Sequence, residues 1–241
     1  MSLNIYIAAH KDFQWCPVNK DYKIICGKNE LRNTYPVEVI TERSTQHYVD
    51  LHDSYAELTR LYHIYRNVKP LPEYIGFCQY KRYFDFYDKT ASVESIMKHH
   101  DAILPSVRPA WPNVLKSYAS YHRKQDLEQC IDIIKKLFPE MRKTADDFIK
   151  SYGLRANNMF IMKRNDFRDY CKFIFEVFNE LDKQNNWNTM DDMKKCGIVQ
   201  RKTHGFLAER ISNIFFLGTL GFSLYINISP LFIILSFYIL S

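Results

Sequence analysis

Short runs of mostly apolar residues constrain the fold of this chain more than any other feature. Each run is too short for a stable helix, and most are rich in β-branched or aromatic side chains, which predicts strands buried on both faces. The runs lie at residues 5–9, 22–26, 37–40, 74–78, 102–104 and 158–162.

Amphipathic helical segments separate several of these runs. Residues 126–138 and roughly 165–181 have apolar side chains at helical spacing. Another helix is predicted to begin at Ser54-x-x-Glu57, the pattern of a capping box. Strands that alternate with helices predict one α/β domain, a three-layer α/β/α sandwich around a mainly parallel central sheet.

Ligands of such folds bind at the edge of the sheet where the parallel strands end. The strand order along the sequence places four loops at that edge. They follow Ala9, Cys78, Leu104 and Met162.

Composition excludes several classes of protein. Of the 241 residues, 46% are apolar and only 7 are Gly, which excludes disordered and collagen-like chains. The net charge of +6 is spread along the chain, too diffusely to indicate a nucleic-acid-binding protein, and fits a phosphorylated ligand or an anionic membrane surface. No basic, apolar signal peptide is recognised at the N-terminus. The cysteines form no C-x-x-C pair and are predicted to be reduced, mostly buried thiols: Cys16, Cys26, Cys78, Cys130, Cys171 and Cys196.

The sequence lacks the usual short motifs of phosphate and metal sites. Neither a Gly-rich phosphate loop nor the D-x-D pair that holds a divalent cation on a diphosphate is present. The nearest pairs, Asp126 with Glu128 and Glu180 with Asp182, fall in predicted helices, where they are expected to be solvated surface charges. We therefore predict no metal site and no certain cofactor.

Residues 74–84 combine an apolar strand with two cations. Lys81 and Arg82 follow the strand directly and stand between aromatic residues. Cations at a strand's carboxyl end can neutralise a diphosphate, Arg through a bidentate fork and Lys as a point charge. A basic loop whose aromatic residues pack on the sheet would give the same pattern, so both interpretations stay open.

Several blocks resemble a bacterial family of glycosyltransferases encoded in capsule and lipopolysaccharide gene clusters, long catalogued as a domain of unknown function. The sequence D-S-Y-A-E-L-T-R-L-Y-H-I-Y-R-N resembles its E-L-T-x-L-Y block, and Y-I-G-F-C-Q-Y-K-R-Y-F resembles its Y-I-G-L-x-H-Y-R-R-Y-F block. The blocks occur in the family's order over roughly residues 4–216, at residues 50–67, 74–84, 99–105, 158–163 with 170–171, and 205–210.

The resemblance implies a nucleotide-diphosphosugar transferase domain of the GT-A type, in residues 1–216. It also implies transfer of a sugar from an activated donor to a growing surface glycan. Two residues depart from the family's H-Y-R-R: Gln79 replaces the His and Lys81 the first Arg. Imidazole chemistry at position 79 is therefore in doubt.

Roles follow from the needs of glycosyl transfer. Lys81 and Arg82 are predicted to bind the donor diphosphate without a metal. Glu209, the carboxylate of the last matched block, is the candidate general base of an inverting reaction; a surface Glu paired with a neighbouring Arg is the alternative. Glu57 is explained by a capping role alone.

The remaining candidates would contact the nucleotide or a sugar. His10 and Lys11 follow the first strand, Gln79 follows the 74–78 strand, Asn158 opens the last strand and His204 precedes the last block. For the histidines and Asn158, a structural role is the competing interpretation.

All charged residues precede position 211, and residues 217–241 form an uncharged hydrophobic tail. Residues 220–240 would span a bilayer as a helix, and Arg201, Lys202 and Arg210 just upstream would keep the domain cytoplasmic. Three interpretations remain open: a membrane anchor, strands and a helix packed on the domain, or an altered terminus.

The sequence thus predicts a hexosyltransferase-like glycosyltransferase at the inner face of the bacterial cell membrane. Its expected partners are a nucleotide sugar and a lipid-linked or polymeric glycan acceptor, and not a nucleic acid. The alternative is a non-catalytic sugar-nucleotide or glycan-binding module of a membrane polysaccharide-synthesis complex, which Gln79 and the tail favour.

Overall fold

The computed structural model describes residues 2–42, 52–84, 91–185, 202–220, 225–228 and 230–232. The strands are β1 (Leu3–Ala8), β2 (Tyr22–Cys26), β3 (Glu38–Thr41), β4 (Tyr74–Gln79), β5 (Arg82–Phe84), β6 (Ala102–Pro105), β7 (Arg108–Pro109), β8 (Gly153–Leu154), β9 (Phe160–Lys163), β10 (Tyr225–Ile228) and β11 (Pro230–Phe232). The helices are α1 (His52–Tyr55), α2 (Leu58–Asn67), α3 (Ala91–Met97), α4 (Val114–Ala119), α5 (Lys124–Leu137), the 3₁₀ turn Pro139–Met141, α6 (Arg142–Lys150), α7 (Arg164–Asn185) and α8 (Thr203–Thr219).

The central sheet is mixed. Its strand order is β10-β6-β9-β4-β1-β2-β3, with β5 and β11 attached beside β4. Strand β1 runs parallel to β2 and β4, whereas β9 runs antiparallel to both β4 and β6. The six predicted strands are all present, but the mainly parallel sheet is only partly right. The loop after Met162 consequently lies at the opposite edge from the loops after β1 and β4.

Both faces of the sheet are buried, which explains the continuous apolar runs. Tyr6 and Ala8 of β1 pack into one core, under helices that include α2, α5, α7 and α8. Ile5 and Ile7 pack into a second core, which α3 and the loop around Phe13 cover. Side chains alternate along a strand, so each strand needs apolar residues at successive positions to fill both cores.

The helix predicted to begin at a capping box is broken in two. Ala56 has a φ of 51°, a left-handed value that ends α1 before α2 begins. Glu57 occupies the N-cap position of α2 without a side-chain cap hydrogen bond, and the Ser54 hydroxyl pairs with His204 Nδ1 instead. The capping-box prediction is therefore wrong, and both side chains have other partners.

A buried polar network joins α1, α7 and α8. Asp182 Oδ2 accepts a hydrogen bond from the Tyr55 hydroxyl at 2.5 Å. Its other oxygen, Oδ1, pairs with His204 Nε2 at 2.8 Å. The His204 ring stacks on Tyr55 with centroids 4.1 Å apart. Asp182 is 3% exposed. The prediction of a solvated Asp182 is wrong, as is that of Asp126, which is buried and paired with Arg123.

Parts of the hydrophobic tail belong to the sheet. Strand β10 pairs in parallel with β6, and β11 pairs antiparallel with β5. The other tail residues after Leu220 lie outside the described residues, and the anchor stays a prediction. None of the described helices is long and apolar enough to cross a membrane. The five described cysteines are free, and four of them are buried.

We predict that Asp182→Ala lowers the free energy of unfolding by about 3 kcal/mol, because it leaves the buried Tyr55 hydroxyl and His204 ring without their acceptor. Urea denaturation at pH 7 measures this. Asp169→Ala, at an exposed position of the same helix, is the matched control and should change stability by less than about 0.5 kcal/mol. Equal losses in the two variants would contradict the structural role of the network.

Candidate active site

A cavity of about 300 Å³ opens at the carboxyl edge of the sheet. It lies where β1 and β4, parallel neighbours with Ala8 opposite Gln79, both end. This is the edge at which α/β folds bind ligands. The lining residues are Ala8, Ala9, His10, Ala56, Glu57, Arg60, Gln79, Tyr80, Lys81, Arg82 and Lys202.

Cations dominate the rim of this cavity. Lys81 and Lys202 are exposed, and Arg82 is half-buried. Arg60 is 1% exposed, and its Nη2 donates to both carboxylate oxygens of Glu30 at 2.5 and 2.6 Å. That pairing makes Arg60 a fixed part of the wall, while the other three cations offer positive charge to a ligand.

His10 lies at the cavity with its ring edge against Tyr80, centroids 5.1 Å apart. Burial lowers the pKa of His10, and the positive charges of Lys202 and Arg60 lower it further. The imidazole is therefore neutral at pH 7, with one donor and one acceptor nitrogen. Lys11 is exposed and does not line the cavity.

Gln79 bridges a cation and a carboxylate. Its Oε1 accepts a hydrogen bond from Arg82 Nη1 at 2.5 Å, and its Nε2 donates to Glu57 Oε1 at 2.9 Å. Because Arg can only donate and an ionised Glu can only accept, the amide has one satisfactory orientation. Gln79 thereby sets the positions of both charged groups.

Glu57 is the carboxylate on the cavity wall. Its Oε1 also accepts a hydrogen bond from Asn158 Nδ2 at 2.9 Å. The start of α8 packs closely behind it, since a Cβ on Gly205 would lie 3.2 Å from Ala56 Cβ and 3.9 Å from Glu57 Oε2. A larger residue at position 205 would push the α1–α2 junction, and Glu57 with it, away from α8.

Glu209 lies behind the wall and does not line the cavity. Its Oε1 accepts a hydrogen bond from the Asn157 backbone N–H at 3.0 Å, and its Oε2 pairs with Arg210 at 2.9 Å. Burial raises the pKa of Glu209 and the nearby charge of Glu57 adds to this, although Arg210 opposes both. Glu209 therefore has both the predicted ion pair with a neighbouring Arg and a pKa raised by burial.

Asn157 and Asn158 form the turn between these two carboxylates. Both have left-handed φ angles, 78° and 49°, which Asn tolerates better than most residues. They are 5% and 6% exposed. Within the described part of the chain, Asn157 Nδ2 and Asn158 Oδ1 have no hydrogen-bond partner, so the site retains an unused donor and an unused acceptor.

Of the predicted nucleotide or sugar contacts, His10 and Gln79 line the cavity, whereas Lys11, Asn158 and His204 do not, and His204 lies farthest from solvent. It is fully buried, and both ring nitrogens are engaged by Ser54 and Asp182. It has no surface toward the cavity, and its position corrects the expectation of a ligand contact: the ring holds the start of α8 in place. Among the described residues, no group of three His, Cys, Asp or Glu side chains could hold a metal ion.

Sequence reasoning missed four residues of the site. Glu57 was explained by a cap, and Arg60 lies one turn further along the same helix. Asn157 adjoins a matched block and Lys202 lies three residues before another, whereas Glu57 and Arg60 lie within one. Position in or near those blocks is the signal that could have found all four.

Together the fold and the cavity define an α/β protein with a mixed central sheet and a basic cavity at the carboxyl edge of its parallel strands. The apo structure of the bifunctional glycosyltransferase WbbM matches with a TM-score of 0.77 at 22% identity, over 96% of this chain and 45% of that one. This chain therefore spans less than half the length of that protein. The mannosyltransferase Ktr4p from S. cerevisiae is 11% identical over 66% of this chain and 52% of that one, with a TM-score of 0.28, too low to carry an argument.

The chain belongs to the family described as "Domain of unknown function (DUF4422)", which matches residues 4–219. No curated protein matches the sequence.

The carboxyl of Glu209 is predicted to titrate above the ordinary value of 4.5, which ¹³C NMR of the side-chain carboxyl can measure. A carboxyl whose pKa is raised by folding stabilises the protein fully below the unfolded pKa and loses that contribution as pH rises through the folded pKa. The stability of Glu209→Gln relative to the unmodified protein should therefore increase from pH 4 to pH 7. A difference that falls with pH would contradict the raised pKa.

Proposed function

We propose that this chain is a glycosyltransferase of the GT-A type that transfers a hexose from a nucleotide-diphosphosugar to a growing cell-surface polysaccharide, either capsule or lipopolysaccharide O-antigen. The observation that carries the proposal is the cavity that Lys81 and Arg82 line beside the Glu57 carboxylate, with Glu209 behind its wall. The fold shared with WbbM and the family membership support it.

The donor diphosphate is the ligand that the cations fit best. As the bond between the sugar's anomeric carbon and the diphosphate oxygen breaks, its electron pair remains on the diphosphate. Arg82 and Lys81 stabilise that charge in place of a metal, and Arg82 is held for this contact by Gln79. His10 and Asn158 supply hydrogen-bonding groups to the nucleotide and sugar, and Lys11 adds charge outside the cavity.

One carboxylate takes the proton of the acceptor hydroxyl. The hydroxyl oxygen attacks the anomeric carbon from the side opposite the leaving diphosphate, which inverts the configuration. Glu209 is our candidate from the last matched block, and burial raises its pKa, the direction that favours a general base; its side chain reaches the cavity only if the wall moves. Glu57 is the second candidate because it lines the cavity directly.

The reaction takes place, in this proposal, at the cytoplasmic face of the membrane on a lipid-linked or polymeric glycan. Of residues 217–241, those that belong neither to α8 nor to the sheet strands β10 and β11 would add membrane association there. A non-catalytic sugar-nucleotide or glycan-binding module is the competing function. Gln79, which cannot act as an acid or base in place of His, is the observation that favours it.

The decisive measurement is binding and slow hydrolysis of UDP-, GDP- and dTDP-sugars by the purified chain. We expect at least one donor to bind and to be hydrolysed, with equal rates in EDTA. Arg82→Ala should weaken donor binding about 10- to 100-fold, because a charge-assisted contact contributes about 1.5–3 kcal/mol. Lys81→Ala should act in the same direction.

The matched control is Lys143→Ala, whose side chain is 89% exposed on α6. It should leave donor binding unchanged. Binding without hydrolysis would favour the non-catalytic module. Activity that collapses in EDTA and returns with Mn²⁺ would overturn metal independence.

Two isosteric variants separate the carboxylates. Glu209→Gln is expected to reduce kcat at least about 100-fold with donor affinity unchanged, the contribution of a general base. Glu57→Gln keeps an oxygen that can accept from Gln79 and Asn158, so we expect a loss below about tenfold. Near-normal turnover by folded Glu209→Gln would remove Glu209 from the mechanism, and a 100-fold loss in Glu57→Gln would assign the base to Glu57.

A further inference from the structure

Two large aromatic side chains are exposed together at one end of the two-stranded sheet of β7 and β8. Trp111 is 78% exposed and Tyr152 70%, with ring centroids 6.4 Å apart. Val107, 49% exposed, lies against Gly153, where a Cβ would be only 2.9 Å from Val107 Cγ1. We call these residues, 107–111 and 152–154, the aromatic ribbon. Exposed apolar side chains that cluster in this way indicate a binding surface.

The aromatic ribbon is attached to the edge of the sheet that carries the cavity. Strand β6 runs antiparallel to β9, which runs antiparallel to β4, so β6 and β4 point the same way. The end of β6 at Pro105 therefore lies at the cavity edge, three residues before β7 begins. Arg155, which follows β8, donates from Nη1 to the Pro105 carbonyl at 2.6 Å and ties the base of the ribbon together.

The other strand of the ribbon leads directly to the carboxylates. Asn157, whose backbone N–H binds Glu209, is five positions after Tyr152, and a chain of that length spans at most about 18 Å. A molecule of a few linked sugar rings could lie on the ribbon with one end at the cavity.

We propose that the aromatic ribbon binds the acceptor glycan by stacking a sugar ring on Trp111 and Tyr152; this rests on the function proposed above. The face of a pyranose presents C–H groups with slight positive charge, which are attracted to the negative face of an aromatic ring. Trp and Tyr lose little conformational entropy when a ligand orders them, since each has two side-chain torsions. The Tyr152 hydroxyl can also bind sugar hydroxyls.

A glycan fits this surface better than a lipid bilayer does. The exposed apolar area of the ribbon is small and consists of two aromatic rings, Val107 and Pro109, whereas a helix or loop that enters a membrane presents a broader apolar face. The ribbon also continues into the cavity edge, where an acceptor hydroxyl must arrive to meet the donor.

The test compares Trp111→Leu with Trp111→Phe in the full chain. Phe keeps a flat aromatic face, and Leu keeps apolar character without one. Affinity electrophoresis through gels containing the purified surface polysaccharide of the strain that encodes the chain measures glycan binding. We expect Trp111→Leu to weaken retardation at least tenfold in apparent Kd and Trp111→Phe to stay within threefold of the unmodified protein. Donor binding and thermal unfolding should be equal in all three.

Several outcomes would overturn the proposal. Free migration of the unmodified chain through the polysaccharide gel would contradict it, and so would equal binding by Trp111→Leu and Trp111→Phe. Loss of flotation with anionic phospholipid vesicles in Trp111→Leu, without loss of polysaccharide binding, would assign the ribbon to a membrane. If no nucleotide sugar binds but Trp111→Leu alone loses the polysaccharide, the glycosyltransferase proposal fails and the glycan-binding ribbon stands.

Discussion

The site depends on one shared acceptor, the Glu57 carboxylate oxygen that receives hydrogen bonds from Gln79 and Asn158. Those amides come from the end of β4 and from the turn before β9, while Glu57 itself begins α2. A charged acceptor with two amide donors is stronger than a neutral pair and tolerates little displacement. The carboxylate therefore sets the relative positions of three elements at the cavity edge. Close packing of Gly205 on Ala56 brings in α8 as the fourth.

Unfavourable backbone geometry surrounds this carboxylate. Ala56, Asn157 and Asn158 all have left-handed φ angles, and each such residue costs about 1–3 kcal/mol where the side chain does not favour the region. Asn lowers that cost, but Ala does not. The buried Tyr55–Asp182–His204 network lies one residue before Ala56 and anchors α1 to α7 and α8. That network offsets the strain at Ala56 by fixing the backbone on its N-terminal side, so the core stabilises the conformation that exposes Glu57.

The strands were predictable because a strand buried on both faces needs a continuous run of apolar residues, which can be recognised in the sequence. The antiparallel direction of β9 was not, since a short apolar run looks the same in either direction. The α1–α2 break was missed because Ser54 and Glu57 have the spacing of a capping box, and spacing does not reveal that each side chain has a distant partner. For the same reason Asp182, in a polar stretch of helix, looked solvated. Of the candidate site, the cations after β4 followed from local order, whereas contacts between residues more than 100 positions apart, such as Glu57 with Asn158, did not.

Gln79 joins two charged groups of this site through an amide that does not titrate. Its amide accepts from Arg82 with one end and donates to Glu57 with the other. A neutral imidazole also has one acceptor and one donor, so either side chain can bridge a cation and a carboxylate. An imidazole can gain a proton and lose the acceptor, whereas the amide cannot titrate near pH 7. In this chain position 79 therefore supplies geometry without proton transfer, and any acid–base step falls to the carboxylates Glu57 and Glu209, on either side of Asn157–Asn158.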